Sequence, residues 1–270
     1  MSRIKTRFDA LKVKNEKALI SYVTAGDPHP KHTVSIMHAL VEAGTDLIEV
    51  GVPFSDPMAD GPVIQQACER ALKYDTSLAD ILQMVKDFRK NDQDTPIILM
   101  GYQNPIEIYG VERFAEDAKG LVDGVITVDL PPEECAEINQ FYREVDIDSI
   151  FLMAPTTDIS RIRRISEMAS GFLYYVSFKG ITGANSLDID SVSSKLSEIR
   201  GVTELPLAVG FGIKDAETAA AVAAVADAVV VGSAIVSLIA ANQEDMPTAL
   251  KEVKSLLQGI KSALDNAGSI

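Results

Sequence analysis

Short apolar runs bounded by Gly, Pro or Asp recur along this chain at a spacing that leaves few folds open. They occupy residues 18–23, 47–50, 97–100, 125–128, 149–152, 173–177, 207–209 and 228–231, and each reads as a buried strand. Between them, residues 32–43, 77–89, 106–118, 132–144, 158–168, 188–199 and 215–225 carry helical spacing of apolar positions, and a further helix is expected from Pro62. About eight such units in 270 residues fit a closed (β/α)8 barrel better than an open doubly wound sheet. No low-complexity linker divides the chain, so one α/β domain over residues 1–270, with extra short helices, is the expected organisation.

Composition narrows the function classes. Hydrophobic residues make up 47% and charged residues 24% of the chain, the balance of a protein with a sizeable core. The formal charge of −14 repels polyanions, which sets nucleic acid and anionic membranes aside as partners. Two cysteines, Cys68 and Cys135, lie far apart in no metal-like or redox-like spacing, so a reducing cytoplasm is the expected compartment. No signal-peptide pattern opens the sequence and no apolar stretch is long enough to span a membrane.

In a barrel of this kind the chemistry sits at the C-terminal ends of strands and in the loops that follow. The run at residues 47–50, Leu-Ile-Glu-Val, puts a carboxylate inside an apolar strand. Strand alternation turns Ile48 and Val50 to one face and Glu49 to the other, the barrel interior. Glu49 is then either a solvated or lysine-paired strand end, or a desolvated acid suited to proton transfer near neutral pH. The loop after it holds Asp56 and Asp60 between prolines and glycines; singly, each reads as a turn residue or helix cap.

Glycine-bearing segments follow the last three strands, at residues 180–183, 210–213 and 232–233. Barrels commonly bind phosphate there, with the last segment opening a short helix. The histidines His29, His32 and His38 have no ligand-like spacing and read as surface or helix residues. No Gly-x-Ser-x-Gly elbow, Walker loop or dinucleotide fingerprint occurs. Lys179 has the chemistry for a Schiff base but lies in a glycine loop, which argues against that use.

Residues 47–62, LIEVGVPFSDPMADGP, resemble the signature of the tryptophan synthase alpha-chain family. The resemblance extends through YVTAGDP at 22–28, MGYQNPI at 100–106, DLPPEE at 129–134, GITGA at 180–184 and GFGI at 210–213. It implies a TIM barrel that cleaves indole-3-glycerol phosphate by a retro-aldol reaction to indole and glyceraldehyde 3-phosphate, with no metal or cofactor of its own. It also implies a beta-chain partner in an αββα heterotetramer, whose pyridoxal phosphate joins the indole to serine.

Carried over by motif position, Glu49 would be the general acid/base and Asp60 the carboxylate at the indole N–H. Gly183, Gly212, Gly232 and Ser233 would meet the phosphate; Tyr22, Met100 and Phe211 would wall the indole pocket, with Tyr174 near the acid/base. Asp56 would face the partner, and Thr182 would meet Asp60 on loop closure. Residues 177–180, Ser-Phe-Lys-Gly, lack the arginine many members carry after the serine, so no arginine contact is carried over. The alternatives are a non-catalytic partner subunit, which need not keep these residues, and another phosphate-handling barrel. A metal-dependent epimerase would want strand-end ligands, and an indole-glycerol phosphate synthase a strand-end lysine acid.

Overall fold

In the computed structural model, which describes residues 2–177, 188–210 and 212–267, eight parallel strands close into a barrel in sequence order. The strands are β1 (Ala18–Thr24), β2 (Leu47–Gly51), β3 (Ile97–Gly101), β4 (Gly124–Thr127), β5 (Asp148–Met153), β6 (Leu173–Val176), β7 (Leu207–Gly210) and β8 (Ala228–Val231). Closure is made by β8 pairing with β1, Ile20 opposite Val230, which excludes the open sheet. Each strand stays within two residues of its expected bounds, because a strand buried on both faces shows as a nearly continuous apolar run.

Before and around the barrel lie α1 (Arg3–Lys14), α2 (Thr33–Glu42), α3 (Pro62–Leu72), α4 (Leu78–Phe88), α5 (Gln103–Tyr109), α6 (Val111–Ala118), α7 (Ala136–Glu144), α8 (Ile159–Met168), α9 (Ile189–Arg200), α10 (Ala216–Ala223), α11 (Ser233–Ala241) and α12 (Met246–Ala267). The single helix expected at 106–118 is two helices. Gly110, at φ +92°, breaks the chain direction between α5 and α6, a conformation glycine adopts without the Cβ penalty. Residues 132–144 divide likewise, into a 3-10 turn at Pro132–Glu134 and α7.

Helix α1 has no counterpart among the expected elements. Its apolar residues Ile4, Phe8 and Leu11 pack into the barrel's inner cluster with Ile98, Ile126, Ile150 and Phe172. The Phe8 and Phe172 rings lie 5.8 Å apart, so α1 plugs the N-terminal mouth of the barrel. Outward-facing residues such as Ile48 and Val50 pack instead into the shell between strands and helices.

Aspartates just before β2, β4 and β8 brace that lower end. Asp46 accepts the Leu19 N–H at 2.9 Å, Asp123 the Ile97 N–H at 2.8 Å, and Asp227 the Leu207 N–H at 2.8 Å. Each also meets a cation: Lys261 at 3.0 Å, Arg89 and Arg3 at 2.8 Å, and Arg200 at 3.0 Å. Polar groups at this end hold strands, and the opposite end is left for chemistry.

Candidate active site

Glu49 stands on the inner face of β2, in register with Tyr22 of β1 and Ile98 of β3. It is 1% exposed, and its Oε1 is buried without a hydrogen-bond partner among the described residues. Burial pushes its carboxyl up to about 8, since desolvation disfavours the charged form. Glu49 is therefore not a solvated strand end, and no lysine pairs with it among the described residues; burial favours its neutral form near pH 7.

Two tyrosines flank it. Tyr22 and Tyr174 are both buried, and desolvation raises both phenols, with the Glu49 charge adding to the effect in each. Their hydroxyls occupy places that side chains on neighbouring strands would need. A Cβ at Gly51 would overlap the Tyr22 hydroxyl, and one at Gly210 would overlap that of Tyr174. Glycine at these two strand ends is therefore a packing requirement of the site.

The loop between β2 and α3 brings Asp60 over the same end. Asp60 does not cap α3, whose N-cap is Gly61; instead its Oδ2 accepts the Tyr102 hydroxyl at 3.0 Å. Desolvation raises the Asp60 carboxyl and the Tyr102 hydrogen bond partly opposes this. Tyr102, just past β3, also accepts the Ala59 N–H at 3.0 Å, and its ring packs on Phe54 at 5.2 Å. The Asp60 carbonyl accepts from Gln65 at 2.8 Å. Asp56 remains a surface residue, its carboxylate accepting from Ser55 at 2.6 Å.

An apolar cluster borders this end of the barrel. Tyr22, Ala67 and Val236 form a cluster against which Val63, Ile64 and Met100 pack, and Met100 also reaches the inner barrel cluster. Behind it, Arg70 of α3 grips Asp27, after β1, through two bonds of 2.6 and 2.9 Å, which ties the first two strand-end loops together. Helix α11 starts at Gly232–Ser233 with no side-chain cap and no acidic residue in its first turn. Gly232 lies against Tyr22, where a Cβ would stand 3.4 Å from the Tyr22 Cβ. Such a helix start offers backbone N–H groups to an anion.

The expected residues Tyr22, Glu49, Asp60, Met100, Tyr174, Gly232 and Ser233 collect at the C-terminal end of the barrel. Gly212 follows β7 at φ +81°. Thr182, Gly183 and Phe211, and with them Lys179, lie outside the described residues. The histidines take structural places: His29 accepts the Lys31 N–H at 3.2 Å, and His38 stacks on Phe88 at 4.6 Å.

The comparisons with known proteins agree with one another. The family model described as "Tryptophan synthase alpha chain" matches residues 8–265. This chain belongs to the tryptophan synthase alpha-chain family. The alpha chain of Thioalkalivibrio sulfidiphilus is 58% identical over 266 residues, covering 98% of this chain and 100% of that one. The alpha chain of Marinobacter nauticus is 55% identical, covering 98% and 99%. Among solved structures, the alpha subunit from Legionella pneumophila superposes with a TM-score of 0.92 at 44% identity, covering 98% and 99%. A tryptophan synthase complex from Pyrococcus furiosus gives 0.81 at 36% identity, covering 92% and 99%.

As a tryptophan synthase alpha chain, the protein is the lyase subunit that cleaves indole-3-glycerol phosphate to indole and glyceraldehyde 3-phosphate, and the indole passes to a pyridoxal-phosphate-dependent beta subunit for L-tryptophan synthesis. No helix among the described residues is long and apolar enough to cross a membrane. One residue of the site, Tyr102, was not among the expected candidates; its place just past the end of β3, within the MGYQNPI segment at 100–106, is the available signal.

Proposed function

We propose that Glu49 is the general acid/base and Asp60 the electrostatic partner of the indole nitrogen in this cleavage. The observation that carries the reading is the buried Glu49 carboxyl, raised to about 8 by desolvation with an unpartnered Oε1. Neutral Glu49 gives its proton to indole C3, and the ring nitrogen becomes cationic. Asp60, ionised and steadied by Tyr102, stabilises that N–H. The Glu49 carboxylate then takes the proton of the side-chain hydroxyl; the bond to C3 breaks, its electron pair returns to the ring, and an aldehyde is left. The proton moves in net from hydroxyl to carbon, so two carboxylates meet the chemical need without a cofactor in this chain.

Tyr22, Met100 and Phe211 wall the indole pocket and Tyr174 lies beside the acid/base. Gly183, Gly212, Gly232 and Ser233 hold the phosphate, supported by the uncapped start of α11. The family resemblance assigns Thr182, which lies outside the described residues, to Asp60, a pairing that would exclude water from the reacting atoms. Asp56, on an exposed loop whose Met58 is 81% exposed, faces the beta chain in an αββα heterotetramer. The expected compartment is the cytoplasm.

The test is indole release by the purified chain, alone and with a matching beta chain, for the unsubstituted protein and Glu49→Gln. We expect slow turnover that rises with the partner, and a loss of at least 10²–10⁴-fold in Glu49→Gln with retained binding of a substrate analogue. Near-normal turnover in Glu49→Gln would remove it from the acid/base role.

A further inference from the structure

The inner face of β1 carries two hydroxyls side by side. Tyr22 and Thr24, two residues apart and so on one face of the strand, are both buried. Their hydroxyl oxygens lie 3.2 Å apart, with either able to donate. Across the ladder, Tyr22 is opposite Glu49 and Thr24 opposite Gly51. Since Gly51 has no side chain, the Tyr22 hydroxyl fills the space next along the face from Glu49.

The surroundings of this pair are otherwise poor in donors. Tyr22 is faced by Glu49 from β2, Asp60 from the following loop and Cys68 from α3, with Gly232 and Val236 closing the remaining side. Glu49 is faced by Tyr22 from β1, Ile98 from β3 and Tyr174 from β6. Its carboxyl is shifted by burial alone, with no basic side chain opposing it among the described residues. Yet the assigned mechanism makes Glu49 an anion midway through the reaction, in a place where an uncompensated charge is costly.

We propose that the Tyr22–Thr24 hydroxyl pair is a positioning device that stabilises the Glu49 carboxylate at that midpoint, an inference that rests on Glu49 being the acid/base. While Glu49 is neutral, Tyr22 donates to Thr24. Once Glu49 has protonated the substrate carbon, Thr24 donates to Tyr22 and the Tyr22 proton turns to the new anion. Both hydroxyls rotate and neither loses its proton; two hydroxyls 3.2 Å apart can each donate or accept, which is what the device requires. Tyr174 lacks such a hydroxyl partner among the described residues and serves as a wall.

The test compares Tyr22→Phe, Thr24→Val and Glu49→Gln, measuring indole release against pH on both sides of 8. Tyr22→Phe keeps the ring over Gly51, so KM stays within about twofold while kcat falls ~10-fold, the loss of one hydrogen bond to a charged group. Turnover needs neutral Glu49, so activity falls as pH rises through its pKa. Removing a donor to the carboxylate moves that alkaline limb upward by ~1 unit in Tyr22→Phe, and by less, in the same direction, in Thr24→Val.

An unmoved limb in Tyr22→Phe, with Glu49→Gln inactive, overturns the pair's role and leaves the acid/base assignment standing. A raised KM and lowered thermal midpoint with the limb unmoved makes the hydroxyl a packing group, which overturns it equally. Retained turnover in Glu49→Gln removes the acid/base assignment and the pair's role together.

Discussion

The Tyr102 hydroxyl donates to the Asp60 carboxylate and accepts the Ala59 N–H, each at 3.0 Å. One phenol just past β3 thus fixes both the backbone and the carboxylate of the loop that follows β2. A carboxylate on a loop is otherwise poorly placed for chemistry that depends on sub-ångström geometry. The Phe54 ring, 5.2 Å from that of Tyr102, limits where the phenol can go.

Tyr102→Phe should therefore reduce kcat roughly 10-fold with a smaller change in KM. The hydrogen bond favours the ionised form of Asp60 and lowers its pKa against the larger effect of desolvation. Without it the pKa rises further, and activity that needs ionised Asp60 is lost at a higher pH on the acid side. Steady-state rates across the acid limb decide it; a limb that moves down or stays would mean Tyr102 only packs.

Glu49 should cost the protein stability at neutral and alkaline pH. Its folded pKa, about 8 against an ordinary glutamate value of 4.5, is raised, so its full contribution is present below about 4.5 and is lost as pH rises through about 8. Glu49→Gln does not titrate. Its thermal midpoint relative to the unsubstituted chain should climb between these values and level off above, each pH unit being worth at most ~1.4 kcal/mol. Calorimetry at several pH values measures this, and a constant difference between the two proteins would count against a buried neutral acid.

At the opposite end of the barrel, Asp123 receives the Ile97 N–H and the guanidinium groups of Arg89 and Arg3, all at 2.8 Å. Arg89 is nearly buried, its side chain 4% exposed. Asp123→Ala strands that charge and should destabilise the fold by about 3–5 kcal/mol, seen in urea unfolding. Indole release at low temperature should hardly change, because this end carries no part of the site; a specific loss of kcat in folded protein would contradict that division.

Much of the barrel was legible in the chain because parallel strands buried on both faces advertise themselves as apolar runs. The helix boundaries were read less well where a single conformational event decided them. Gly110, the one glycine within residues 106–118, splits α5 from α6 at φ +92°, and apolar periodicity alone does not register it. Helix α1 was missed because only Ile4, Phe8 and Leu11 of its residues are buried, and what they cover is the end of a barrel that does not exist until all eight strands close.

The site divides the same way. Period-two alternation in Leu47–Gly51 already turned Glu49 away from Ile48 and Val50, and the carboxylate-bearing loop and terminal glycine segments were plain in the residue order. Whether Glu49 was a solvated strand end or a buried acid depends on dielectric, and dielectric depends on what Tyr22, Ile98 and Tyr174 bring from three other strands. Asp60 likewise acquired its partner from Tyr102, forty-two residues along the chain. Residue type and alternation decide which groups a strand can present; closure of the barrel decides which of them lose water and which meet a hydrogen-bond donor, and that loss of water is what turns an ordinary glutamate into an acid at neutral pH.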